Sequence, residues 1–135
     1  NLPTRPILDG LLDRVQATAH SHTCSVGQGY VVISHTGAVA QCQMHLDRPV
    51  SDRLEHNTFL PLLAGGPIQN LPVEEKTGCR DCTYRYRCAG GCPLETFRAT
   101  GRWDVQSPNC AIYKALLPEA MRLEGLRLMK AHGYL

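Results

Sequence analysis

Four of the seven cysteines in this 135-residue chain fall in one stretch, CRDCTYRYRCAGGCP, running from Cys79 to Pro93 with the spacing C-x2-C-x5-C-x3-C. Thiols set this close together can ligate metal, pair as disulfides or, with aromatics and cations between them, form a nucleic-acid knuckle. An odd cysteine count leaves one thiol over in any full pairing, and the C-x2-C and C-x3-C steps are poorly suited to pairing with each other. The residues therefore favour metal. Tyr84 and Tyr86 alternate with Arg85 and Arg87, which has the look of a knuckle, but nothing else supports nucleic acid.

The remaining thiols are Cys24, Cys42 and Cys110. A tetrahedral site uses four thiolates, so seven cannot serve one ion, and two sites sharing four ligands and three is the economical division. Simpler alternatives stand beside it. The C-x2-C-x5-C-x3-C stretch alone could close a structural zinc site, whose binding supplies about 10–16 kcal/mol and can order a small loop-rich domain. Each of the other three cysteines, taken alone, serves equally well as a small buried hydrophobe.

The elements that must position these thiols are short. Residues 6–20 place Leu8, Leu11, Leu12 and Val15 at helical spacing behind Pro6, which predicts an amphipathic helix. Two β-rich runs, Tyr30–Ser34 and Ala38–Cys42, flank His35-Thr36-Gly37 and predict a hairpin with a cysteine near each outer end. Residues 47–78 carry Pro49, Pro61, Pro67 and Pro72 and read as connection, with one helical turn around Thr58–Ala64. Pro93 opens a short helix that Gly101 stops. Asn109 is placed to cap a final helix reaching about His132, with Ile112, Leu116, Ala120 and Leu123 on one stripe, Met121 and Met129 as filler, and Pro118 kinking or dividing it. The fold class expected is small α+β: a β-hairpin, then a cysteine-rich metal-binding loop region, then C-terminal helices.

Composition narrows the function. A chain of this length holds one modest core, and nine prolines, twelve glycines and 6% aromatics leave little for long regular elements. The net charge of +2 nominates no polyanion. No apolar run approaches the roughly 20 residues that span a bilayer, and Asn1 to Gly10 show no secretory pattern; the expectation is a soluble, cytoplasmic chain. No Ser/His/Asp set, phosphate-binding glycine loop or paired carboxylates offers an active site, and Asp104 beside Trp103 reads as surface.

The full pattern, C-x12-G-x4-C with Gly37 as its glycine, then C-x2-C-x5-C-x3-C, then a distant cysteine, resembles the SPASM domain, the C-terminal extension of many radical S-adenosylmethionine enzymes. The resemblance runs from Cys24 to Cys110 and takes in all seven cysteines. It implies two auxiliary [4Fe-4S] clusters with interleaved ligands: Cys79, Cys82, Cys88 and Cys110 at an outer cluster, and Cys24, Cys42 and Cys92 at an inner one. Many relatives supply a further inner cysteine about six residues before the first. Here that neighbourhood is Ala17-Thr18-Ala19, which leaves an open iron site or a histidine ligand, His20 or His22.

Arg80, Arg85 and Arg87 sit in the loop where cations would raise a cluster's potential, and Gly90 and Gly91 would let the backbone turn tightly beside it. The division that follows is an N-terminal helix in residues 1–23, the SPASM-type domain in 24–110 and the C-terminal helix in 111–135.

The implied role is electron transfer to or from a substrate radical, with positioning of a peptide or protein substrate, as in relatives that make formylglycine or crosslink ribosomal peptides. The catalytic core of such enzymes needs C-x3-C-x2-C to hold the cluster that binds S-adenosylmethionine. Cys88-x3-Cys92 begins that pattern, but Glu95 stands at its third position. The chain would therefore not be catalytic alone, and its partner would be a radical S-adenosylmethionine barrel upstream or in a second chain. The rival expectation is a structural zinc domain recognising a peptide or nucleic acid.

Overall fold

The computed structural model describes residues 19–29, 31–53 and 65–135. The helix expected over residues 6–20, apart from Ala19 and His20, and the turn expected at Thr58–Ala64 lie outside these. Among the described residues the chain forms a two-stranded antiparallel hairpin and helices that include a long C-terminal one, a small α+β arrangement.

The hairpin joins β1 (Val32–Ile33) to β2 (Val39–Ala40), with Val32 opposite Ala40 and Ile33 opposite Val39. Its turn is closed by Ser34, whose hydroxyl accepts the N–H groups of Thr36 and Ala38. Gly37 holds φ +90° there, a conformation that L residues other than glycine rarely adopt. The strands are shorter than the alternation of side chains suggested. Beyond Ala40 the chain leaves the ladder, and Cys42 starts a 3-10 turn, Gln43–His45. Val39 also bonds Val50 and Ser51, so an isolated antiparallel bridge at Ser51 covers the buried strand.

Three helices follow the hairpin among the described residues. α1 (Arg85–Cys88) is a single turn inside the cysteine stretch that periodicity gave no reason to expect. α2 (Pro93–Thr100) starts on Pro93 and ends at Gly101 with φ +70°, as its start and stop residues predict.

α3 spans Cys110–Ala131, and Pro118 lies inside it without dividing it. Asn109 occupies its N-cap position, but the side chain makes no cap bond. The amide instead donates to Glu95 Oε1 at 2.9 Å, tying α3 to α2. The buried stripe keeps Ala120 of the expected one but differs at Ile112 and Leu116. Ile112 and Leu116 are 55% and 46% exposed, whereas Leu117 is fully buried beside Ala120. The register has turned by one residue because Tyr113 and Leu117 face Tyr84 and Cys88 of the cysteine stretch. Met121 and Met129 are exposed rather than core.

The core is correspondingly divided. Leu117 and Ala120 pack with Tyr84, Cys88 and Tyr113; Val26, Ile68 and Leu94 pack with Cys42, Cys92 and Trp103. Trp103 also stacks on Phe97 at 4.1 Å between centroids. Between the strand and the connection, the buried Gln41 accepts the Ile68 N–H at 2.9 Å. Such a bond matters because a buried amide without a partner costs about 1–3 kcal/mol.

Candidate metal centre

From Lys76 to Gly91 the backbone folds as a succession of tight turns. The N–H groups of Cys79 and Arg80 donate to Lys76 O, Cys82 to Cys79 O, Arg85 to Cys82 O, and Ala89 to Arg85 O. Each turn swings the next cysteine back toward the same space. Gly78 precedes the first with φ +83°, and a parallel bridge from Thr77 to Val105 brings the segment leading into α3 alongside. Cys110, the first residue of α3, thereby joins three cysteines that precede it by more than twenty residues.

The outcome is a pocket whose wall carries Cys79, Cys82, Cys88 and Cys110 together with Arg85 and Lys114. These are the four thiols expected at the outer site. The Cys79 thiol is pushed up to about 11, mainly by burial and then by Cys88, Cys110 and Cys82, with Lys76 opposing. Its neighbours in charge are thus the cavity's other three thiols.

Cys24 belongs to a second set. Cys24 is exposed as a residue, yet the chain packed around its sulfur raises the thiol by desolvation, a backbone hydrogen bond at Val26 opposes, and Cys92 and Cys42 raise it further. Cys42 and Cys92 pack against the same apolar cluster, Val26, Ile68 and Leu94. The two sets are separated by a left-handed run, Ala89 at φ +48°, Gly90 at +81° and Gly91 at +74°, which reverses the chain between Cys88 and Cys92. A non-glycine residue in this region costs about 1–2 kcal/mol, and Ala89 is held there by the Thr23 hydroxyl, 2.8 Å from its carbonyl and 2.7 Å from that of Gly91. Asn70 fixes Cys24 from the other side, donating to its carbonyl at 2.7 Å.

Among the described residues no three His, Cys, Asp or Glu side chains are grouped tightly enough to hold a single metal ion. The two histidines near Cys24 are placed differently. His22 Nδ1 lies 3.1 Å from Ser21 Oγ. His20 donates its backbone N–H to Tyr86 O, and its Nε2 is buried with no partner among the described residues. Of the loop arginines, Arg80 is exposed, while Arg85 lines the outer cavity and places its guanidinium 4.8 Å above the Tyr86 ring. Asp104 is bound by Arg102 at 2.7 Å, in keeping with a surface role.

Sequence reasoning missed Lys76, Tyr113 and Lys114. Tyr113 and Lys114 follow Cys110 by one helical turn, so they share its face. Nothing in the Glu74-Glu75-Lys76 run distinguishes the lysine from a solvated charge.

No family model matches the chain, and no solved structure matches it. It is 35% identical over 54 residues to an uncharacterized protein of Archaeoglobus fulgidus, a match that covers 40% of this chain and spans 13% of the archaeal protein. No helix among the described residues is long and apolar enough to cross a membrane.

Proposed function

We propose that the chain is a SPASM-type domain that binds two [4Fe-4S] clusters and serves a radical S-adenosylmethionine enzyme acting on a peptide or protein. The observation that carries this reading is the gathering of Cys79, Cys82, Cys88 and Cys110 on the wall of one cavity, with Cys24, Cys42 and Cys92 in a separate charge and packing neighbourhood. That grouping supports the interleaving the cysteine spacing resembles, in which the thiols of one continuous stretch would serve two sites.

The donor chemistry fits. A lone zinc draws four sulfurs to about 2.3 Å from one point, whereas these four thiols line one pocket wall without three of them gathered about a single point among the described residues, an arrangement that suits a multi-iron group offering each thiolate its own corner. The outer cavity adds cations, Arg85 and Lys114, where a thiolate-ligated cluster would carry negative charge. When bound, the two clusters supply one-electron transfer.

The chain's own residues do the rest. Burial holds the proton on Cys79, pushing its thiol up to about 11, and a ligand that compensates the thiolate would displace it at lower pH. Tyr84, Tyr113 and Leu117 line the outer site with apolar surface. The Thr23 hydroxyl holds the turn between Cys88 and Cys92. A radical S-adenosylmethionine barrel would be the electron partner and a peptide the substrate, in a cytoplasmic setting.

Iron and acid-labile sulfide analysis after anaerobic reconstitution tests the reading. About eight irons with matching sulfide is the expected result. One or two zincs that iron and sulfide do not displace would sink it and leave the structural zinc domain in its place.

A further inference from the structure

Lys76 is 1% exposed, the most deeply buried charged side chain among the described residues. Its backbone carbonyl anchors the first turn of the cysteine stretch by accepting from Cys79 and Arg80. The side chain runs the other way, toward the crossover between the two thiol sets. Its Nζ lies 3.4 Å from Ala89 O, and the stem packs so closely on Gly90 that a Cβ there would stand 2.7 Å from Lys76 Cδ and 3.0 Å from Nζ. Ala89 and Gly90 are two of the three residues that separate Cys88 from Cys92.

No carboxylate among the described residues pairs with this ammonium. Burial pushes this ammonium below the usual lysine range, and the groups that oppose the push are four thiols, Cys79 and Cys88 from the outer set and Cys24 and Cys92 from the inner one. An isolated ammonium in such a place is costly, so buried cations are normally paired. Here the available counter-charge is a pair of thiolate sites, one on each side.

We propose that Lys76 is a shared counter-cation, placed between the two cluster sites so that one buried charge stabilises both and sets both potentials. The inference rests on the two-cluster reading above. An electron added to either site brings negative charge toward the same ammonium, so removing that charge should make both sites harder to reduce. Lys76 touches no reacting atom and acts as a positioning charge.

The experiment compares the unmodified chain with Lys76→Met, Lys76→Gln and Lys76→Arg after anaerobic reconstitution with iron and sulfide, reading metal and sulfide content and the midpoint potential of each cluster by potentiometric titration followed by EPR. Both neutral variants are expected to show both potentials shifted negative, or to lose iron and sulfide that Lys76→Arg retains. Full loading with both potentials unchanged overturns the proposal, as does a shift at one site only. Loss of both clusters from the arginine variant along with the neutral ones also overturns it, since packing rather than charge would then be the role. Failure of the two-cluster reading is seen separately, because the unmodified chain itself would then take up no iron and sulfide, and the proposal would fall with it.

Discussion

The Thr23 hydroxyl lies 2.8 Å from the Ala89 carbonyl oxygen, a contact between residues 66 positions apart. It joins the segment carrying Cys24 to the left-handed turn that carries the chain from one thiol set to the other. The same hydroxyl is 2.7 Å from Gly91 O, so a single proton is shared between two carbonyls that the turn itself leaves without a helical or strand partner.

Thr23→Val keeps the shape and removes the donor. The buried Gly91 carbonyl loses this donor and the Ala89 carbonyl keeps only Lys76 Nζ at 3.4 Å, so the loss in unfolding free energy should be about 1–3 kcal/mol. Denaturant unfolding of the metal-free chain checks this. Thr23→Ser restores the donor and should recover most of the loss; a valine variant as stable as the parent would show that the clamp contributes nothing.

The ligand division makes its own prediction. Cys110→Ala removes an outer thiol and should leave a chain with about half the parent's iron and sulfide and one of two EPR signals, while Cys92→Ala should remove the other signal. Cys88 and Cys92 are only four positions apart, yet Cys88→Ala should behave like Cys110→Ala and not like Cys92→Ala. Equal loss from Cys88→Ala and Cys92→Ala would refute the interleaving.

Acidity at Cys79 gives a pH dependence with a definite sign. The folded chain raises this thiol from 9.0 to about 11, so it binds the proton more tightly than the unfolded chain does. The associated stability is fully present below about pH 9 and is lost as pH rises through about 11, because the unfolded form ionises first. In the metal-free chain, unfolding midpoints should therefore fall across that window. Cys79→Ala should flatten the fall, with the raised Cys24 thiol accounting for part of what remains. At pH 8, Cys79 should also be slower to react with iodoacetamide than an unperturbed cysteine, since the thiolate is the nucleophile.

What could be read in the sequence was local. Pro93 and Gly101 bracket α2 as their backbone preferences require, because a first-turn proline and a left-handed stop act within the element they bound. The turn at Gly37 was legible for the same reason. The hairpin strands were overdrawn because alternation continues past the point where Cys42 leaves the ladder, and that departure is set by what Cys42 and Gln41 meet across the chain.

The candidate site divides along the same line. Spacing identifies the seven thiols but not which of them share a cavity, and the division came only with the family resemblance. Lys76 was illegible. A lysine after two glutamates is ordinarily a solvated charge, and its burial depends on Gly90 leaving room for the stem.

The long helix shows how narrowly such readings can miss, and supplies a direct test. Ile112 and Leu116 on one side and Tyr113 and Leu117 on the other are stripes one residue apart, about 100° around the axis, and both are apolar enough to serve. The choice is made by Tyr84 and Cys88, which meet the second stripe. Leu117→Ala should then open a cavity beside the outer thiols and cost about 2–5 kcal/mol. Leu116→Ala, at a position 46% exposed, should cost well under about 1 kcal/mol. Because Leu117 also lines the outer cavity, its loss should admit water and make the reconstituted outer cluster more oxygen-labile than the inner, read as faster bleaching in air. Equal costs for the two leucines would mean that α3 packs with the register its periodicity suggested rather than the one its neighbours impose.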